Sequence, residues 1–164
     1  MLYDASLLFA GSLNVNGSMS GQLVTALGNT ISTNVIDNGP LSSGQVVDLG
    51  RGEDLQISLM VVNQPTSGGA ATVAFQLVQA DDAAITSNVQ VIVSTDAVPI
   101  ASLLTGNRVK IQLPRAGAYT PKRYMAVRYV VAGAVLTNVS GQFFGGIVKT
   151  ELDQRITAGG FSIQ

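Results

Sequence analysis

The strongest constraint on this chain is a period of two. Leu55, Ile57, Leu59 and Val61 alternate with smaller or polar residues, and Val73, Phe75 and Leu77 repeat the pattern after the turn sequence Pro65-Thr66-Ser67-Gly68-Gly69. Val89, Val91 and Val93 follow, then Val109, Ile111 and Leu113, then Met125, Val127, Tyr129 and Val131, and finally the apolar run Phe143 to Val148. Side chains on a strand point alternately to opposite faces, so each run lays one apolar row against a core. Six such segments, punctuated by Gly, Asn, Asp and Pro at short spacing, predict an all-β antiparallel sandwich or barrel.

The first 45 residues lack this regularity. Small and polar residues such as Gly11-Ser12, Asn16-Gly17-Ser18 and Asn38-Gly39-Pro40 separate short clusters such as Leu23-Val24 and Val35-Ile36. One or two short strands and an extended arm or loop are expected there. Ile100 to Leu104, between Pro99 and Thr105-Gly106, reads as the one helical turn. A chain of 164 residues with no internal repeat fits a single domain: 1–45 partly arm, 45–150 sandwich, and 151–164 a C-terminal tail.

Composition then bears on function. There is no histidine and no cysteine, and 12% of residues are charged while 46% are apolar. Ser-His-Asp and Cys-His nucleophile systems and thiolate metal sites are therefore excluded, and the chain is read as a non-enzyme with no catalytic residues, no cofactor and no metal. Asp48, Glu53 and Asp54 around Leu49-Gly50-Arg51-Gly52 match no calcium loop and read as a solvated turn. Asp81-Asp82 are adjacent, hence divergent on a strand, and also read as a turn. No apolar run approaches a membrane span, and Met1-Leu2-Tyr3-Asp4 lacks a basic leader, so synthesis in the cytoplasm is expected. So little charge implies that part of the surface is covered by other protein.

The charge that exists is uneven. Residues 1–107 hold eight acids against one base, a net of −7, and residues 108–164 hold eight bases against two acids, a net of +6. Interleaving of the two halves in a sandwich would cancel the asymmetry; a basic docking face would use it. If Val109, Ile111 and Leu113 face the core, Arg108 and Lys110 face outward, and by the same parity so do Lys122, Tyr124, Ala126 and Arg128. Arg108, Lys110, Lys122, Tyr124 and Arg128 are thus the candidate protein interface, with Tyr124 as its central anchor. Nucleic acid is not the expected partner, since the net charge is −1 and no stacking motif accompanies the bases.

Several segments together resemble a known family. These are Asp48-Leu49-Gly50-Arg51-Gly52-Glu53-Asp54-Leu55 running into the strand Gln56 to Val62, and Val73 to Gln79 before an acidic turn. Leu104-Thr105-Gly106 before the strand ending Leu113-Pro114, Arg123-Tyr124-Met125-Ala126-Val127-Arg128-Tyr129 before Gly133, and Gly141 to Val148 continue the order. Residues 45–150 are in this way similar to the capsid cement (decoration) proteins of tailed bacteriophages, of the Bordetella-phage type. The resemblance implies a jelly-roll sandwich on the outer surface of the virion head, bound to a major capsid protein of HK97-type fold. It also implies a homo-oligomer, a dimer ahead of a trimer, that clamps neighbouring capsid subunits, with no membrane and no small-molecule substrate. The alternative is a carbohydrate- or receptor-binding jelly roll of a head or tail fibre; a cupin-type enzyme is disfavoured by the missing histidines.

Overall fold

A computed structural model describes residues 7–16, 18–39, 55–114, 118–137 and 141–149, and these form an antiparallel β-sandwich. The strands are β1 (Leu8–Ala10), β2 (Ser12–Leu13), β3 (Met19–Ser20), β4 (Gln22–Leu23), β5 (Gly28–Ile31), β6 (Ile36–Asp37) and β7 (Leu55–Asn63). They continue as β8 (Thr72–Ala80), β9 (Gln90–Ser94), β10 (Val98–Pro99), β11 (Arg108–Gln112), β12 (Tyr124–Ala132) and β13 (Gln142–Lys149). The expected helical turn is a 3₁₀ turn at Ile100–Ser102.

One sheet runs β1-β13-β7-β11, with β4 also on β13; the other has β9 and β10 on one side of β8, then β12, then β5 and β6. The chain crosses between sheets from β4 to β5, β6 to β7, β7 to β8, β10 to β11, β11 to β12 and β12 to β13. That path gives two facing four-stranded sheets once the short collinear strands are merged, which is a jelly roll.

The alternating rows meet as the sequence predicts. Ile57, Leu59 and Val61 of β7 and Phe143 and Ile147 of β13 face Val73, Phe75 and Leu77 of β8 and Met125, Val127, Tyr129 and Val131 of β12 in one core. Phe75 and Tyr129 are direct partners across the β8–β12 ladder and both pack on Phe143 of the opposite sheet. Tyr129 stacks on Phe143 at 5.3 Å between centroids and Phe75 meets it edge-on at 5.3 Å. Each ring removed from water stabilises the sandwich by about 1.5–3 kcal/mol.

One parity expectation fails locally. The β8–β9 register shifts between Leu77 and Val78, so Val93 stays opposite Leu77 on the core side while Val91 lies opposite Val78 on the outer side. A bulge of one residue inverts the faces of everything beyond it, which is why Val89, Val91 and Val93 do not share a core face. Ala126 points away from the main core, as its parity predicts, but is fully buried there in a second cluster with Val78, Ala80 and Ile85, against which Ile31, Val35 and Tyr124 pack.

Among the described residues the N-terminal region holds six short strands rather than one or two. β1 and β4 extend one sheet and β5 and β6 the other, so residues 8–37 close this chain's own sandwich. Polar side chains replace the missing ladder bonds. The Gln22 side-chain amide donates to the Ile31 carbonyl and accepts from the Thr33 backbone amide, both at 2.8 Å, and the Asn34 side-chain amide donates to the Gly11 carbonyl at 3.1 Å. Between β5 and β6 the buried Ser32 hydroxyl accepts from the Val127 amide at 3.0 Å.

Candidate functional site

The five interface candidates do not form one patch. Arg108 and Lys110 project, exposed, from the outer face of the β1-β13-β7-β11 sheet, opposite Met60 and Ser58 of β7. They lie on an edge strand, where long cations also discourage pairing with another sheet. Arg128 and Tyr124 belong to the outer face of the other sheet, and Lys122 to the segment leading into β12, on the far side of the core.

That second group is largely occupied within the chain. Lys122 forms a salt bridge with Asp81 at 3.2 Å and donates to the Asn88 carbonyl at 2.6 Å. Arg123 grips Asp37 through both carboxylate oxygens and lies 4.8 Å from the centre of the Tyr124 ring. The Arg128 Nε donates to the Gln76 side chain at 2.8 Å, and Tyr124 is half-buried in the second apolar cluster. The acidic and basic halves of the sequence are therefore interleaved here, Asp37 with Arg123 and Asp81 with Lys122.

Asp81 and Asp82 build a turn, as expected. The Asp82 carboxylate accepts from the Thr86 and Ser87 amides and the Thr86 hydroxyl, while Asp81 accepts from the Asn88 side chain. Backbone donation from Ser87 holds the Asp82 carboxyl below its usual range, and the Asn88 amide and then Lys122 do the same for Asp81. The loop returns Ile85 over Val78 and Ala126, shielding that end of the sheet. Asp48, Glu53 and Asp54 lie outside the described residues.

A different feature stands out at the opposite end of the sandwich, where β7 leads to β8 and β12 leads to β13. The connections there, 11–27, 64–71 and 133–141, contain no Asp, Glu, Lys or Arg, and 95–107 contains Asp96 alone. Leu13, Val15, Met19, Leu27, Leu104 and Val135 are nevertheless exposed at this end. Among the described residues, only Val89 and Val91 are large apolar side chains exposed away from it.

The foremost element is the two-stranded ribbon β2–β3, in which Leu13 pairs with Met19. Its turn is held by the Asn14 amide on the Ser18 carbonyl at 2.9 Å, and by the Ser18 amide and hydroxyl on the Asn16 side chain at 3.0 and 2.6 Å. Val15 at the tip has a relative exposure of 110%, more than in an extended chain. At the base, Gly11 adopts φ +78°, and a Cβ there would collide with the Ser20 carbonyl oxygen and the Phe144 ring. The sequence carried a signal for this surface: residues 5–36 hold no charged side chain.

Residues 19–147, most of the chain, match the model of the Bbp16 protein family. The match begins well before residue 45 and so takes in β3 to β6. No curated protein matches the chain.

Proposed function

The chain belongs to the Bbp16 family, whose name points to a Bordetella phage protein, and from that premise we propose that it is a virion structural protein. Its role on this proposal is that of a cement protein, seated on the outer surface of a tailed-phage head and clamping neighbouring subunits of an HK97-type shell. The work is mechanical: no reaction is assigned to it, and it acts as a homo-oligomer in many copies. Each copy that bridges two subunits adds buried area across a seam, and several contacts must release together before the seam opens.

One observation carries this reading beyond the family match. A sandwich with paired charges gathered at one end and exposed apolar side chains on a charge-poor other end has the surface of a protein that is half covered in use. Interface cores are depleted of charge in the same way, and apolar patches of several hundred Å² on a monomer mark interaction sites. The test is co-sedimentation of the purified protein with phage heads stripped of it, together with its mass in solution. Saturable binding to heads at a fixed copy number is expected; a monomer that stays in the supernatant would overturn the assignment.

A further inference from the structure

We propose that the charge-poor end is the seat of the protein on the shell, and that the β2–β3 ribbon inserts Leu13, Val15 and Met19 into an uncharged, apolar recess of a shell subunit. This rests on the cement reading above and names the surface and the chemistry of its partner.

Three observations carry it. The first is segregation: Asp37, Asp81, Asp82, Lys122 and Arg123 gather at the opposite end and are paired or hydrogen-bonded there, whereas the described connections of this end carry Asp96 alone. A protein fixed to a surface by one end keeps its hydrated groups at the other. The second is the ribbon itself. Two strands without a packed face are marginal in water, yet this turn is tied by hydrogen bonds from three of its polar residues, so the tip is organised before anything covers it. Organising a contact in advance lowers the entropic cost of docking.

The third is shape, which decides the occupant. Val15 stands clear of the other described residues at the tip of a projection. A two-fold contact between copies brings the same patch against itself, and a projection against its own image leaves voids beside it. A projection fits a recess on a different surface. Apolar and free of ions, it fits best where the partner offers no charge that would lose its water.

The test uses the full-length chain. A variant with Leu13→Ser, Val15→Ser and Met19→Ser is compared with Arg108→Glu/Lys110→Glu for binding to stripped heads, with circular dichroism and solution mass measured on both. The serine variant is expected to keep its spectrum and mass and to lose at least tenfold in head affinity. Equal binding by wild type and the serine variant would overturn this inference and leave the cement reading standing, whereas failure of wild type to bind would overturn both. Loss of the oligomer in the serine variant would identify a second copy as the occupant and contradict the proposal. Should the triple variant not fold, Val15→Cys gives the chain its only thiol. A benzophenone on it should crosslink to a shell subunit, and crosslinking to another copy alone would refute the assignment.

Discussion

Arg123 holds Asp37 from 86 residues away, with Nε and one terminal guanidinium nitrogen each 2.9 Å from a different carboxylate oxygen. The pair joins β6 to the start of β12 on adjoining strands, and it joins the acidic half of the sequence to the basic half. Lys122 and Asp81 repeat the arrangement one strand over. A net of −7 facing +6 along the chain is in this way partly neutralised inside one molecule, and the bases nearest to Tyr124 are engaged before any partner arrives.

Stability should be flat from pH 5 to 8 and fall in acid. Arg123 holds the Asp37 carboxyl below its ordinary range, as Asn88 and Lys122 do for Asp81 and Ser87 and Thr86 for Asp82. A carboxyl lowered on folding binds its proton more readily in the unfolded chain, so its contribution is present above the unfolded pKa of about 4 and is lost as pH falls through the lower folded value. No histidine is present to titrate in between. Melting temperature measured from pH 3 to 8 should show a plateau and then a drop below about pH 4; a midpoint near pH 6 would contradict the account.

Tyr129→Phe should stabilise the protein or leave it unchanged. The Tyr129 hydroxyl is buried in the core without a hydrogen-bond partner among the described residues, and burial pushes its pKa up. Removing it relieves a desolvation cost of about 1–3 kcal/mol while the ring keeps its stack on Phe143. Phe143→Ala, by contrast, should cost about 3–5 kcal/mol in denaturant unfolding.

Ser32→Ala should be destabilising by about 1–3 kcal/mol, because the buried Val127 amide loses its acceptor where β5 has ended and β6 has not begun. Hydrogen exchange at the Val127 amide should accelerate more than at its neighbours on β12. Ser32→Thr keeps the hydroxyl and should recover part of the loss.

Gly11→Ala should loosen the ribbon without unfolding the sandwich. Its positive φ costs an alanine about 1 kcal/mol or more, and the added methyl runs into the Ser20 carbonyl oxygen and Phe144. Limited proteolysis should then cut between residues 12 and 20 far faster than in wild type, with the rest of the chain resisting.

The sandwich was legible in the sequence because its long strands keep strict alternation, and β7, β8, β11, β12 and β13 lie where the pattern places them. What alternation could not show are events that break it. The bulge in β9 opposite Leu77 and Val78 turns Val91 outward, and the loop from Asp81 to Asn88 folds Ile85 back over Ala126, covering a face that parity shows only as pointing outward. The candidate interface suffered from the same limit: parity says which residues point outward, but not that Arg108 and Arg128 point outward from opposite sheets. The ribbon was hidden for another reason, since β2 and β3 have two residues each and no periodicity to read. Its signal was compositional, the long uncharged stretch that brings Leu13, Val15 and Met19 to the surface.

The central claim is that this chain is built to be half covered by a phage shell. The most direct measurement is binding of the wild-type protein to purified heads stripped of it, read by sedimentation and by copy number per head. Saturation at a fixed, symmetry-compatible number of copies, with heads then surviving higher temperature, is the predicted result. Heads that pellet without the protein and rupture at an unchanged temperature would contradict it.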